Sequence, residues 1–401
     1  MTERLYLQDS MCKEFDAEVL ACERQGDGFF IELDRSAFFP NKGGQPCDIG
    51  SLSNVSVTDV NEQGERLWHS TDCAIPVGTK VHGEIDFDRR FDIMQQHTGE
   101  HLLSYCAWDL FGAQNVGFHC ALTYSTLDLD KPVGHDGILE IEKLANRLAA
   151  ENAAVTATIY ETEEDLRGIP LRKHAEGLTA PIRIVTIEGS DACTCCAPHV
   201  RRTGEIGQLK IIDAIPYKGG MRCTFLCGMR ALQHAQTMQD TVSAIALKFS
   251  TAREQAIAAV EKQGEELSNL KRELKQAYAA LDEYLVKALI AEAEDVNGTK
   301  LLVKALGPVD TKRLRSIAGG TMGPRSLSVL FSDTGDRVSY ILASNGIKQD
   351  MGNLIGAVNA AFHGNGGGRG TLAQGSAKKP SDLIETVGQL RTYFKNVLLH
   401  G

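Results

Sequence analysis

Between residues 15 and 85 the chain alternates apolar and polar positions in short runs. Segments 15–20, 28–33, 55–60, 66–69 and 80–85 each read as a strand, with Gly, Asn, Asp or Pro between them. That rhythm predicts a small, mostly antiparallel β-barrel over residues 1–90. From Phe91 to about Gly112 the period changes to that of a helix, with Met94, His97, His101, Leu102 and Tyr105 on related faces. A turn at 115–119, a strand over 124–130, a helix over 137–151 and strands over 155–161, 183–187, 208–213 and 221–226 follow. Residues 91–231 therefore read as a mixed α/β domain, and the chain as a whole as α+β.

The next stretch differs in kind. Residues 232–296 have dense Ala, Glu, Lys and Leu and almost no glycine before the Asn297-Gly298 turn. Val260, Leu267, Leu274, Leu281 and Ala288 recur every seven residues, with Tyr278 and Leu285 on the alternate seam and Gly264 and Lys271 interrupting it. A long coiled-coil-like helix or helical hairpin is expected, spacing two domains and offering one route to a homodimer. Residues 297–401 return to a globular α/β pattern, with strands over 301–306, 326–331 and 338–343 and helices near 310–317, 353–361 and from 381. Before the last helix stands His363-Gly364-Asn365-Gly366-Gly367-Gly368-Arg369-Gly370, which reads as a glycine-rich loop. Such a loop beside an arginine offers backbone N–H groups to phosphate.

Charge and composition narrow the classes. A net charge of -10 over 401 residues argues against a protein held to nucleic acid by overall charge, though local basic pairs such as Arg201-Arg202 remain. No run of eighteen apolar residues occurs, and the N-terminal residues lack a basic-then-apolar leader, so a cytoplasmic protein without a membrane role is expected. Eleven cysteines, an odd number in a long chain and partly clustered, read as metal ligands and small buried hydrophobes rather than disulfides.

The chemistry concentrates in two places. In Gln95-Gln96-His97-Thr98-Gly99-Glu100-His101-Leu102-Leu103 two imidazoles stand four residues apart, on one face of a helix. In Cys195-Cys196-Ala197-Pro198-His199-Val200 a thiol and an imidazole repeat the spacing. His97, His101, Cys195 and His199 make a tetrahedral zinc set, and the two halves together are rarer by chance than either alone. Glu100 sits beside the histidine ridge on an ideal helix and is set aside. His119, in a turn before a strand, is read as a further pocket residue. Ser36-Ala37-Phe38-Phe39-Pro40 with Gly43-Gly44-Gln45-Pro46 forms a segment whose paired glycines permit close backbone approach.

These residues resemble a known family. The H-x3-H stretch resembles that of alanyl-tRNA synthetase editing domains and of the free-standing AlaX trans-editing proteins. The Cys195–His199 motif with Arg201-Arg202-Thr203-Gly204-Glu205 is similar to their second metal segment, the Gly43-Gly44 segment to the family's glycine-rich element, and the terminal glycine run to a DHHA1 domain. Four features in order over nearly the whole chain point to the long form of AlaX. The resemblance implies a Zn²⁺-dependent hydrolase that clears tRNA for alanine mischarged with serine, and also glycine, in trans. Gly43, Gly44, Arg201, Arg202, Gly367, Gly368 and Arg369 are then expected at tRNA. Ser36, where the family commonly has threonine, is expected to bear on serine selectivity, and Cys196-Ala197-Pro198 replaces the family's Gly-Gly-Thr. The alternative is a catalytically silent zinc protein that binds tRNA.

Overall fold

The computed structural model describes residues 2–162, 164–172 and 181–400. It divides into two compact units, residues 1–248 and 249–401.

In the first unit, six strands close into a barrel: β1 (Glu14–Gln25), β2 (Gly28–Leu33), β3 (Gly50–Leu52), β4 (Val55–Gln63), β5 (Arg66–Thr71) and β6 (Lys80–Ile85). Their order is β1-β2-β5-β4-β3-β6, and β6 pairs back onto β1. Alternation makes this possible: Val19, Ile31, Leu33, Leu52, Val57, Val60, Leu67, Val81 and Ile85 turn inward. The residues joining β2 to β3 fold over the barrel mouth and carry Ser36 and the Gly43-Gly44 segment.

Helix α1 (Phe87–Phe111) starts a full turn earlier than the apolar period predicts, because Asp86 caps it by accepting the Arg89 N–H at 3.1 Å. It ends at Gly112, whose φ is 61°. Every residue from Ile93 to Ser104 is buried, so the helix is enclosed on all sides. Strands β7 (Asn115–Cys120), β8 (Ser125–Leu129), β12 (Leu209–Tyr217) and β13 (Gly220–Cys227) form an antiparallel sheet, in order β12-β13-β8-β7, against it. Helix α2 (His135–Ala150) shares that core through Ile138, Ile141 and Ala145. A second, three-stranded sheet of β9 (Val155–Tyr160), β10 (Ile182–Ile187) and β11 (Ala192–Thr194) supplies the cysteine-bearing segment. Helix α3 (Gly228–Lys248) closes the unit.

One buried side chain locks the barrel to α1. Arg90, fully buried, forms an ion pair with Asp48 and donates to the Ala37 carbonyl at 2.6 Å and the Ser10 carbonyl at 3.0 Å. Asp48 also accepts the Phe39 N–H at 2.5 Å. A paired, fully hydrogen-bonded charge is what burial demands, and it fixes the 37–48 segment over α1.

The second unit holds α4 (Ala256–Glu292) and a six-stranded sheet of β14 (Glu294–Val296), β15 (Thr299–Leu306), β16 (Ser326–Asp333), β17 (Arg337–Asn345), β18 (Asn365–Arg369) and β19 (Leu372–Lys378). The order is β14-β15-β16-β17-β19-β18, and only β15 and β16 run parallel, joined across α5 (Thr311–Gly320). Helices α6 (Met351–Phe362) and α7 (Leu383–His400) pack on one sheet face and α5 on the other. The stretch expected over 232–296 as a long helix or helical hairpin is two helices, α3 and α4, separated near Ser250, a non-glycine residue with φ of 51°.

The glycine-rich segment before α7 is not a loop. Residues Asn365–Arg369 form an edge strand on β19, and His363, at φ of 48°, ends α6. A Cβ on Gly368 would meet the Leu372 carbonyl oxygen at 2.2 Å, and one on Gly366 the Gly375 Cα at 2.6 Å. The glycines let two strands and α6 close up, and the ladder on β19 pairs one edge of the segment.

Candidate metal centre

His97 and His101 project from the enclosed stretch of α1, and Cys195 and His199 from the loop after β11. The four offer ligand atoms that all lie within 4.8 Å of one another. Cys195 Sγ is 3.2 Å from His199 Nε2 and 3.6 Å from His97 Nε2. Zinc bond lengths of about 2.3 Å to sulfur and about 2.0 Å to nitrogen place tetrahedral N and S ligands roughly 3.6 Å apart, so the spacing suits the ion.

The partners of the other ring nitrogens support the same conclusion. His97 Nδ1 lies 2.7 Å from Gln45 Oε1, His199 Nδ1 3.0 Å from Thr98 Oγ, and His101 Nδ1 3.2 Å from Asp191 Oδ2. Thr98 spends its own proton on the Met94 carbonyl at 2.8 Å and therefore accepts from His199. Each Nδ1 is thus held by an oxygen and each Nε2 is left for the common centre, the arrangement that fixes tautomer and orientation at metal sites.

Electrostatics separates the thiols. Burial would push the Cys195 thiol up, but the His97 and His199 imidazoles and hydrogen bonds to it bring it well below the ordinary value, toward the thiolate a metal needs. Burial raises the Cys193 thiol, despite His101 beside it. His199 is driven down to about 3 by burial and stays neutral. At His101 burial lowers the value, yet Cys193 and Asp191 outweigh it and leave it raised.

Asp191 and Arg172 belong to this frame and carry no motif. Arg172 grips Asp191 through Nε at 2.6 Å and Nη2 at 3.1 Å. Its Nη1 is buried with no hydrogen-bond partner among the described residues. Arg183 donates from Nη1 to the carbonyls of Cys195 and Ala197, at 2.8 and 3.0 Å, pinning the ligand loop. Three of the ligands, His97, His101 and Cys195, border a cavity of about 360 Å³ whose wall includes Phe39, Gly43, Glu100, Phe118, Arg172 and Cys196.

The remaining predicted residues divide. Gly43 lines the cavity, and Gly44, at φ of 76°, has no room for a side chain: a Cβ would stand 2.3 Å from the Phe118 carbonyl oxygen. This close approach delivers Gln45 to His97. His119 lies in β7 rather than in a turn, and because neighbours on a strand face opposite ways, the Phe118 ring packs 4.8 Å from His97 while His119 is exposed on the other face. Ser36 is fully buried and does not line the cavity; its Oγ is 2.8 Å from His69 Nε2, and His69 Nδ1 is 3.0 Å from the Ile31 carbonyl. Arg201 pairs with Asp9 at 2.9 Å, and Arg202 donates to the Asn152 carbonyl at 2.6 Å. Gly367, Gly368 and Arg369 lie exposed in the second unit. Glu100, set aside on helix geometry, is in the cavity wall.

An α+β fold in which three buried histidines and a half-buried cysteine could hold a metal ion beside a pocket defines the class. Residues 182–222 match the family model described as the threonyl and alanyl tRNA synthetase second additional domain. The chain is 29% identical over 412 residues to the alanine–tRNA ligase of Methanospirillum hungatei, covering 99% of this chain and 44% of that one. It is 30% identical over 404 residues to the enzyme of Thermococcus kodakarensis, covering 97% and 43%. It is 29% identical over 411 residues to that of Korarchaeum cryptofilum, covering 99% and 45%. Over nearly its whole length the chain is homologous to archaeal alanyl-tRNA synthetases, and it spans less than half the length of these relatives. A solved structure, the C-Ala domain of Aquifex aeolicus alanyl-tRNA synthetase, is 26% identical over 27% of this chain and 98% of that one, with a TM-score of 0.24, too low to carry a fold argument. No helix among the described residues is long and apolar enough to cross a membrane.

Proposed function

We propose that the protein is an AlaX-type trans-editing hydrolase that removes serine, and also glycine, from mischarged tRNA for alanine. The observation that carries the reading is the His97, His101, Cys195 and His199 set beside a cavity lined by Gly43, in a chain homologous to alanyl-tRNA synthetases. Held by those four residues, Zn²⁺ supplies fixed positive charge and Lewis acidity at the cavity edge.

The scissile bond is an ester between the amino acid and the terminal ribose. Water adds to the carbonyl carbon, the carbon–oxygen bond to the ribose breaks, and a proton passes to the ribose oxygen, leaving free amino acid and intact tRNA. Such a bond needs a positioned water and stabilisation of the developing oxyanion more than a strong nucleophile. Arg172 is suited to the second task, since Asp191 holds its fork and leaves the buried Nη1 as a donor. Phe39 and Phe118 keep the wall apolar, and Gly43 lets the terminal adenosine come close. In this reading Ser36 acts on selectivity only indirectly, by anchoring the segment that bears Gly43. Arg201 and Arg202, and in the DHHA1-like second unit Gly367, Gly368 and Arg369, serve tRNA capture, and α4 or the second unit pairs two copies in a cytoplasmic homodimer.

Deacylation decides it. Purified protein given seryl-, glycyl- and alanyl-tRNA for alanine is expected to release serine and glycine and spare alanine. A His97→Ala, His101→Ala variant should fall to the buffer rate. Release of serine no faster than buffer by the zinc-loaded wild type would overturn the reading in favour of a silent tRNA-binding protein.

A further inference from the structure

Two carboxylates are buried at the cavity, and they are satisfied in different ways. Asp191 is matched by charge: Arg172 takes it from one side and His101 Nδ1 from the other, and despite burial its carboxyl is held well below the usual range. Glu100, the only carboxylate in the cavity wall among the described residues, has a side chain 5% exposed and no cation hydrogen-bonded to it among them. Its Oε1 accepts the Ser104 hydroxyl and, at 2.6 Å, Asn115 Nδ2. Those two neutral donors fix the side chain from behind. Its Oε2 has no hydrogen-bond donor among the described residues; the nearest recorded nitrogen is His101 Nε2 at 4.0 Å, and that atom belongs to the metal set.

Of the cations in the same wall, Lys42 Nζ lies 2.6 Å from Glu62, and Arg172, clasped on Asp191, acts on Glu100 through charge with no hydrogen bond to it among the described residues. A buried carboxyl group with neutral donors on one oxygen and none on the other leaves an acceptor open at the cavity wall. The ligand that completes it brings N–H donors.

We infer that Glu100 is the receptor for the α-ammonium group of an aminoacyl ester, so that the pocket selects esters with a free amino group. This rests on the hydrolytic reading above. With Glu100 Oε2 holding the ammonium and Arg172 Nη1 offered to the carbonyl oxygen, the two ends of the aminoacyl group are read by opposite charges. The side chain is then the part left to face the metal edge and the aromatic wall.

The test measures binding without turnover. The probes are 3′-deoxy-3′-(L-serylamino)adenosine, whose amide resists hydrolysis, and its deamino counterpart with a 3-hydroxypropionyl group, which removes the ammonium without adding bulk. Calorimetry on the zinc-loaded protein should show the amine-bearing probe binding at least about tenfold tighter, a difference of ~1.4 kcal/mol. In Glu100→Gln, which keeps the shape and the Ser104 and Asn115 contacts, the preference should vanish with zinc content unchanged. Equal binding of the two probes by the wild type, or a preference that survives in the variant, overturns the inference. Should the variant fail to fold, the wild-type pair decides alone. On seryl-tRNA the variant should raise KM by about tenfold with kcat nearly kept; a loss confined to kcat would make Glu100 a proton acceptor and overturn it too. If the wild type hydrolyses no ester, the hydrolytic reading fails, while the probe comparison still rules on Glu100.

Discussion

Gly43 and Gly44 in the first unit have φ angles of 65° and 76°, whereas Gly366, Gly367 and Gly368 in the second stay outside the left-handed region. The first pair makes a tight bend in which Gly44 is pressed on the Phe118 backbone, and its product is the placement of Gln45 on His97. The second run is an extended edge strand whose glycines pack against Gly375 and Ala373. Similar composition therefore serves a turn at a chemical site in one unit and close strand packing in the other. Backbone geometry, not glycine content, distinguishes them.

The largest expected effect breaks the first of these. Gly44→Ala puts a Cβ against a backbone oxygen at a positive φ, and should destabilise the first unit by about 3 kcal/mol in denaturant melts. A change below about 0.5 kcal/mol would show that the bend is not needed. Next, Gln45→Ala removes the oxygen on His97 Nδ1 and should weaken metal affinity roughly 10–100-fold in chelator competition. Unchanged affinity would mean that His97 needs no such orientation.

Acid sharpens the contrast. His69, buried and bonded to Ser36 beneath the glycine segment, has its imidazole lowered by burial from 6.5 to about 4. Between those values the unfolded chain binds more protons than the folded one, so stability falls as pH drops from 6.5 toward 4. The loss at pH 5 should be about 2 kcal/mol relative to pH 7. His69→Gln should flatten that part of the profile; an unaltered slope would assign it to other groups. The smallest effect is in the second unit: a Cβ on Gly367 meets nothing within 4 Å, so Gly367→Ala should change stability by less than about 0.5 kcal/mol. A large loss there would contradict the strand.

What was legible in the sequence is what local spacing encodes. His97 and His101, and Cys195 and His199, are each four residues apart, and the structure brings all four together. Strand segments in the first 85 residues and the helix around His97 were visible from their periods. His119 was misplaced because its face depends on the parity of a strand that read as a turn, and parity assigns the cavity to Phe118. Glu100 was set aside because an ideal-helix argument concerns direction alone; α1 is enclosed on every face, so a side chain beside the histidine ridge still meets the cavity. The glycine run at 364–370 read as a loop because its pairing partner, β19, lies later in the chain.

The sequence by itself determined the ligand types, their pairing by helical period and the barrel's alternation, since these depend on neighbours a few residues apart. Only the tertiary structure decided which oxygens orient the three imidazoles, which thiol lies against His97 and His199, and which carboxyl group keeps an oxygen open to the cavity. Gln45, Thr98, Asp191 and Arg172 come from a barrel segment, a helix, the turn before the cysteine strand and the stretch after β9, and burial sets the cost of each unpaired polar group. Solvation and distance across the fold are properties of the packed chain, and no local pattern carries them.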